Sequence, residues 1–288
     1  MFSLKLKAAA ALAGALIVVA AAVLNRELPT LGANGLLHPY RRAIDPGTRD
    51  LHPTRSFTGA NVRLAGWNIP ARSPRRGTVV YLHGVADNRG SALTAAQRFP
   101  DRGFDVVAYD SRAHGESGGD FCTYGFNEKR DLRRVLDQIE SGPVVVIGSS
   151  LGAAVGLQAA AEDPRISAVV AAESFSDLRT IATERAPWFF TDAAIRRSFA
   201  LAERLGHFKV EEVSPVAAAS RIHVPVFLIH GADDRETPPE HSRRIFDALG
   251  GPKRLLILEG AGHNQSLQQS TWAEIENWLD AVLSGGND

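Results

Sequence analysis

Val144-Val145-Val146-Ile147-Gly148-Ser149-Ser150-Leu151-Gly152 is the stretch that decides how this chain folds. A β-branched run without a charge reads as a buried strand, and the Ala-rich segment from Ala153 to Ala161 behind it reads as a helix. Between them, Gly148 to Gly152 fits the G-x-S-x-G pattern, a sharp strand-to-helix turn that holds a serine hydroxyl above a sheet. Glycines flank the serine because side chains there would collide with the neighbouring helix and strand. The chain carries its own control, since Gly115-Glu116-Ser117-Gly118-Gly119 matches the same pattern. No apolar strand runs directly into Ser117, and the Gly-rich segment after it cannot open a helix. Ser150 is therefore the candidate nucleophile and Ser117 a loop residue.

Working outward from Val144, short apolar runs recur as strands at Thr78–Leu82, Phe104–Tyr109, Ser167–Ala172, Val224–Ile229 and Arg254–Leu258. Helices are expected over Ser91–Arg102, Asn127–Glu140, Pro239–Leu249 and Gln268–Leu283. Alternating Asn61 to Ile69 suits a strand or hairpin at the sheet edge. Strands alternating with helices imply an α/β fold with a mainly parallel sheet covered on both faces. Ligands of such sheets bind beyond the carboxyl ends of the strands, and His83, Asp110, Ser150, Asp234 and His263 all fall just after one.

A serine hydroxyl needs an imidazole to take its proton, and the imidazole needs a carboxylate to fix its tautomer. Asp233 and Asp234 follow one strand, and His263 follows the last, in the order serine, acid, histidine. Small residues Gly260 to Gly262 let the His263 loop approach the serine. His83, His114 and His230 read as loop-shaping. Backbone N–H groups of Val85 and Leu151 stand where an oxyanion hole belongs.

Lysine plus arginine and aspartate plus glutamate number 32 each, so there is no basic excess to suggest nucleic acid. The single cysteine, Cys122, excludes an intrachain disulfide and a zinc-ribbon spacing. Ala8 to Leu24 is uninterruptedly apolar and follows Lys5 and Lys7. Residues 1–28 read as a transmembrane anchor with the catalytic domain outside the cytoplasm; a signal cleaved near Ala20-Ala21-Ala22, giving a secreted protein, is the alternative. Residues 29–56, rich in Pro, Gly, His and Arg, read as a tether, and 57–285 as the domain.

The chain resembles the α/β-hydrolase superfamily, and within it the single-domain serine hydrolases grouped with serine aminopeptidase-like and prolyl-oligopeptidase-like proteins. The residues that carry the resemblance are Leu82-His83-Gly84, Tyr109-Asp110-Ser111-Arg112-Ala113-His114-Gly115-Glu116-Ser117, Gly148 to Gly152, His230-Gly231-Ala232-Asp233-Asp234 and Gly262-His263. In that pattern the acid stands four residues after the histidine of the His-Gly pair and four before a proline, which selects Asp234. One departure is Ala113, where the family has glycine. The resemblance implies a small helical cap at about 174–222, with Trp188, Phe189, Phe190, Phe199 and Phe208 either lining an acyl pocket or buried against the domain. It further implies a serine hydrolase with Ser150, His263 and Asp234 as its triad, acting without metal or organic cofactor on a small-molecule ester or thioester. A peptidase or amidase with the same triad, or a non-catalytic binding protein of this fold, is the alternative.

Overall fold

The computed structural model describes residues 26–49, 51–52 and 54–284. The apolar run from Ala8 to Leu24 lies outside the described residues. Among those described, no helix is long and apolar enough to cross a membrane. In chain order the strands are β1 (Thr54–Thr58), β2 (Arg63–Ile69), β3 (Gly77–Leu82), β4 (Phe104–Tyr109), β5 (Val144–Ser149), β6 (Ile166–Ala172), β7 (Val226–Gly231) and β8 (Lys253–Leu258). They form one sheet in the order β1-β2-β4-β3-β5-β6-β7-β8. β1 and β2 make the expected edge hairpin, β2 runs antiparallel to β4, and every other pairing is parallel.

The uncharged run of β5 follows from its place near the middle of the sheet. Val144 and Val146 point into the core on one face, Val145 and Ile147 into the core on the other. The helices are α1 (26–37), α2 (Pro46–Arg49), α3 (Leu93–Arg98), α4 (Glu128–Leu136), α5 (Leu151–Ala160), α6 (Leu178–Glu184), α7 (Asp192–Gly206), α8 (Pro215–Ala219), α9 (Glu240–Ala248) and α10 (Gln269–Ser284). Buried residues of α4, α5 and α9 fill one core, and those of α3 and α10 fill the other. α5 is buried along nearly its whole length. Its small residues permit that, since a Cβ on Gly156 would crowd Val146.

Three expectations need correction. The helix expected over Ser91–Arg102 is broken into a 3₁₀ turn, α3 and a second 3₁₀ turn. Pro100 has no N–H to continue the ladder, and Gly103 turns the chain out at φ 85°. The helix expected to reach Glu140 stops at Leu136.

The third correction concerns residues 29–56, expected as a tether. This segment contains most of α1, whose Leu28, Ala33 and Leu37 are buried. Ala33 and Leu37 share a third core with Leu178 and Ile181 of α6 and Phe199 and Ala202 of α7. Two hydrogen bonds fasten the segment to the loop after β4: Cys122 N–H donates to the Leu37 carbonyl at 2.9 Å, and the Arg41 guanidinium to the Ser117 carbonyl at 2.6 Å. Cys122 is itself buried, which pushes its thiol well above the usual range, away from thiolate chemistry. The insertion between β6 and β7 divides in the same way. α6 and α7 form the cap with α1, whereas Ala219 and Ile222, at and just beyond the end of α8, belong to the core of the sheet.

Candidate active site

The turn from β5 into α5 requires glycine on both sides of the serine. A Cβ on Gly148 would overlap the backbone of Gly152 and Ala153, and one on Gly152 would overlap the Leu82 carbonyl. Ser150 itself sits at φ 48° and ψ −109°, a conformation that non-glycine residues rarely adopt. Its N–H holds the strain by donating to the Ala172 carbonyl at 2.8 Å.

His263 lies on the loop after β8, and its Nε2 is 3.2 Å from Ser150 Oγ. Its Nδ1 is 2.7 Å from Asp234 Oδ2. With Nδ1–H donating to the carboxylate, Nε2 is left to accept from the serine hydroxyl. Asp234 is buried on the loop after β7, while Asp233 is exposed. The second oxygen of Asp234 accepts from the N–H groups of Glu236 at 2.9 Å and Thr237 at 2.8 Å. Burial alone would raise the Asp234 carboxyl, but contacts from His230, His263 and the Thr237 N–H outweigh it and hold the group well below the usual carboxylate range. The three residues read from sequence as a triad thus meet across 113 and 29 positions of chain.

Val85 and Leu151 both line the cavity that holds Ser150. In the first turn of α5, Leu151 carries an N–H with no intrahelical acceptor. The other polar residues at strand ends are structural. His83 donates from Nδ1 to the Gly84 carbonyl at 2.7 Å and accepts the Ser111 N–H at Nε2 at 2.9 Å, tying the loops after β3 and β4 together. His230 is held between Ser242 Oγ at 2.6 Å and the Thr237 carbonyl at 2.7 Å. Asp110 is fully buried against Arg89, at 2.6 Å from its guanidinium. Ser117 donates to the Asp110 carbonyl at 2.5 Å and accepts the Ala65 N–H at 2.9 Å, so its hydroxyl is spent on the sheet.

Two constellations were not anticipated. Ser176, His241 and Glu184 also form a serine–histidine–acid chain, with contacts of 2.8 Å and 2.8 Å. Ser176 is fully buried and its own N–H occupies the same ring nitrogen, so this chain fastens the cap to α9 and has no access for substrate. The second is Glu173, buried just after β6 at φ 57°. Its carboxylate accepts the N–H groups of Asn264, Gln265 and Ser266 at 2.6, 3.0 and 2.9 Å, and the Ser266 hydroxyl at 2.6 Å. The signal that could have found it is the one that found the others, a polar residue immediately after a strand.

An apolar cavity of about 450 Å³ opens from Ser150. Leu178 and Ile181 of α6, Phe199 of α7 and the aromatic pair Phe189 and Phe190 form one side; Leu31, Gly32, Gly35 and Leu36 of α1 form another. Of the five cap aromatics, three therefore line the cavity. Phe208 is buried in the third core and Trp188 is 95% exposed. Arg185, the charged side chain in the lining, donates to the Glu236 carbonyl and to Thr237 Oγ1, both at 2.7 Å, and so joins the cap to the Asp234 loop. Among the described residues, no group of three or more His, Cys, Asp or Glu side chains is placed to hold a metal ion.

Comparison with known proteins agrees with this architecture. The family model for the alpha/beta hydrolase fold matches residues 77–218, and that for TAP-like protein matches residues 203–281. The chain is 34% identical over 225 residues to the uncharacterized protein YqkD of Bacillus subtilis (strain 168), covering 70% of each chain. It is 25% identical over 271 residues to the uncharacterized protein YfhR of Escherichia coli (strain K12), covering 90% of each. Among solved structures, the Pyrococcus furiosus esterase Pf2001 superposes with a TM-score of 0.68 at 23% identity, over 85% of this chain and 99% of that one, which is a likeness of fold. With the sheet order, the turn at Ser150 and a relative above 30% identity all in agreement, the chain belongs to the α/β-hydrolase fold family.

Proposed function

We propose that this member of a hydrolase family is a serine hydrolase that cleaves a carboxylic ester or thioester through an acyl-enzyme on Ser150. The observation that carries the reading is the chain of contacts from Ser150 Oγ through His263 to Asp234, with Ser150 in the lining of an apolar cavity. Ser150 Oγ attacks the acyl carbonyl as its proton passes to His263 Nε2. The oxyanion forms toward the N–H groups of Val85 and Leu151, donors of a kind worth ~3 kcal/mol of barrier each. The tetrahedral species collapses as His263 returns the proton to the departing alkoxide or thiolate. Water, deprotonated by the same nitrogen, attacks the acyl-enzyme and releases the acid, restoring the Ser150 hydroxyl. Asp234 keeps His263 in the tautomer this requires.

The cavity wall favours an acyl group over a peptide. A peptide strand needs partners for its own N–H and C=O groups, and burying them unpaired is costly. The lining beside Ser150 is aliphatic and aromatic, and its arginine is already engaged. Purified protein offered matched p-nitrophenyl butyrate and butyryl p-nitroanilide should turn over the ester. Faster release from the anilide would favour an amidase, and turnover of neither would favour a non-catalytic binding role.

The same reading keeps a membrane anchor within residues 1–28, in the part that precedes α1, with the domain outside the cytoplasm. The apolar run Ala8 to Leu24 supports it, as do exposed Leu31 on α1 and exposed Trp188, packed edge-on against Phe189 of the cavity wall. Protease added to intact inside-out membrane vesicles should leave the domain protected; its digestion there would reverse the orientation, and recovery of the protein in the soluble fraction would favour signal cleavage.

A further inference from the structure

Ser150 lies at the buried end of the apolar cavity, with Leu151, Leu178, Ile181 and Phe199 buried around it. Among the described residues of the lining, those exposed to solvent are Leu31, Gly35, Arg185, Pro187 and Phe189. They fall on two segments, α1 and the connection from α6 to α7, so the cavity opens to solvent between them. The two segments meet beside this mouth. A Cβ on Gly32 would come within 3.0 Å of Phe190 Cε1. From Phe190 the rings of Phe189 and Trp188 follow in turn, at centroid separations of 5.5 and 5.8 Å.

Leu31 is 59% exposed, Trp188 95% and Phe189 39%. Of the six large apolar side chains exposed among the described residues, these three gather at one mouth. Such clustering marks an interaction surface, whereas single exposed apolar residues do not. The sequence before α1 says what the surface meets. Leu31 is five residues along the helix from Arg26, about 8 Å at the helical rise. Arg26 in turn follows Leu24, the end of the apolar run, by two residues. Even with those two residues extended, Leu31 stands within roughly 15 Å of the end of the run. A chain held in a bilayer by that run therefore brings its cavity mouth to the lipid headgroups, where an indole, apolar in body with one N–H, is favourably placed.

We propose that the mouth between α1 and residues 185–189 rests on the lipid bilayer, and that Ser150 draws its acyl substrate through this mouth directly from the membrane. The proposal rests on two readings given above, Ser150 as the nucleophile and the apolar run Ala8 to Leu24 as the anchor. The substrate class it names is acyl esters or thioesters that reside in a bilayer. The acyl chain of such a molecule passes from one apolar medium to another and is never transferred to water.

The test uses the full chain reconstituted in phosphatidylcholine vesicles. Of its four tryptophans, Trp67 and Trp272 are buried, Trp278 is half-buried and Trp188 is exposed; the apolar run holds none. Exchanging the lipid for dibrominated phosphatidylcholine, whose bromines quench tryptophan on contact, should remove about a quarter or more of the emission of wild type and under about a tenth of that of Trp188→Phe. Trp188 is outside the cavity lining. Trp188→Asp should therefore turn over p-nitrophenyl laurate held in the vesicles about ten-fold more slowly than wild type, with p-nitrophenyl butyrate in water hydrolysed within about two-fold of wild type. Equal quenching of wild type and Trp188→Phe, or unchanged laurate turnover by Trp188→Asp, would overturn the proposal and leave Ser150 and the anchor standing. Falls of equal size on both esters would overturn it as well. A dimer in mild detergent that Trp188→Asp dissociates, without quenching by lipid, would give the surface to a second copy of the chain instead. Wild type that is quenched yet resists fluorophosphonate labelling would keep the contact and remove the substrate route. Wild type stripped from the vesicles by alkaline carbonate would remove the anchor, and the proposal with it.

Discussion

Glu173 Oε2 lies 4.0 Å from His263 Nδ1, and the same carboxylate gathers the backbone N–H groups of the three residues that follow the histidine. The imidazole is thus positioned from two sides. Asp234 meets the ring itself, and Glu173 holds the loop on which the ring is mounted. Replacing Glu173 with glutamine leaves an acceptor for one or two of these N–H groups and strands the rest in a buried site. Glu173→Gln should lower kcat by about 10 to 100-fold with KM nearly unchanged, the cost of a ring displaced by a fraction of an ångström. Glu173→Asp should recover part of the loss. Equal falls in stability and activity with no rescue by aspartate would reduce Glu173 to a packing residue.

Asp234 lies deeper in the mechanism. Because its contacts keep the carboxyl well below the usual range, it stays ionised as the solution is acidified. Its stabilising contribution is present above the unfolded carboxylate pKa of about 4 and is lost only as the pH falls through the depressed folded value. The acid limb of the rate profile should therefore not arise from protonation of Asp234. Asp234→Asn, which presents an amide where Nδ1–H must be accepted, should reduce kcat about 10³-fold or more at neutral pH. An Asp234→Asn protein with wild-type ester turnover would show that the acid was assigned wrongly.

His114 and His83 set an acid limit on stability rather than on activity. Burial pushes His114 down to about 3, and His83, packed edge-on at 5.2 Å, adds to the effect. Burial lowers His83 too. Unfolded, both titrate near 6.5. Between that value and the folded ones the unfolded chain binds protons the folded chain refuses. Stability is therefore complete above pH ~6.5 and declines by about 1.4 kcal/mol per pH unit for each group as the solution is acidified. Urea unfolding of His114→Gln between pH 6.5 and 4 should show a slope shallower than wild type by that amount. Parallel slopes would mean that His114 titrates normally.

Ala113 stands at φ 60°, in the left-handed region, at the position where the family pattern has glycine. The backbone conformation has been kept while the residue that adopts it freely has not. Ala113→Gly should leave activity unchanged and alter stability by about 1 kcal/mol or less, toward stabilisation, as relief of the strain offsets the added freedom of the unfolded chain. Destabilisation beyond about 1 kcal/mol would mean that the buried methyl matters more than the dihedral angle.

The sheet was legible because its strands are buried on both faces. Val144 to Ile147 cannot alternate with polar residues when each side has its own core, so the run stands out in the sequence. Ser150, Asp234 and His263 were legible for a related reason, since each follows a strand within a local pattern. α1 was hidden because its evidence is tertiary. Pro29, Gly32 and Gly35 read as breakers, and only contact with α6 and α7 shows why Gly32 must be small. Glu173 was hidden because its partners are backbone N–H groups about ninety residues away, which no spacing in the chain reveals.

The central claim is that Ser150 is activated and Ser117 is not. Fluorophosphonate labelling followed by intact mass tests it directly on wild type, Ser150→Ala and Ser117→Ala. One adduct on wild type and on Ser117→Ala, with none on Ser150→Ala, is the predicted result. An adduct that survives Ser150→Ala would contradict the account.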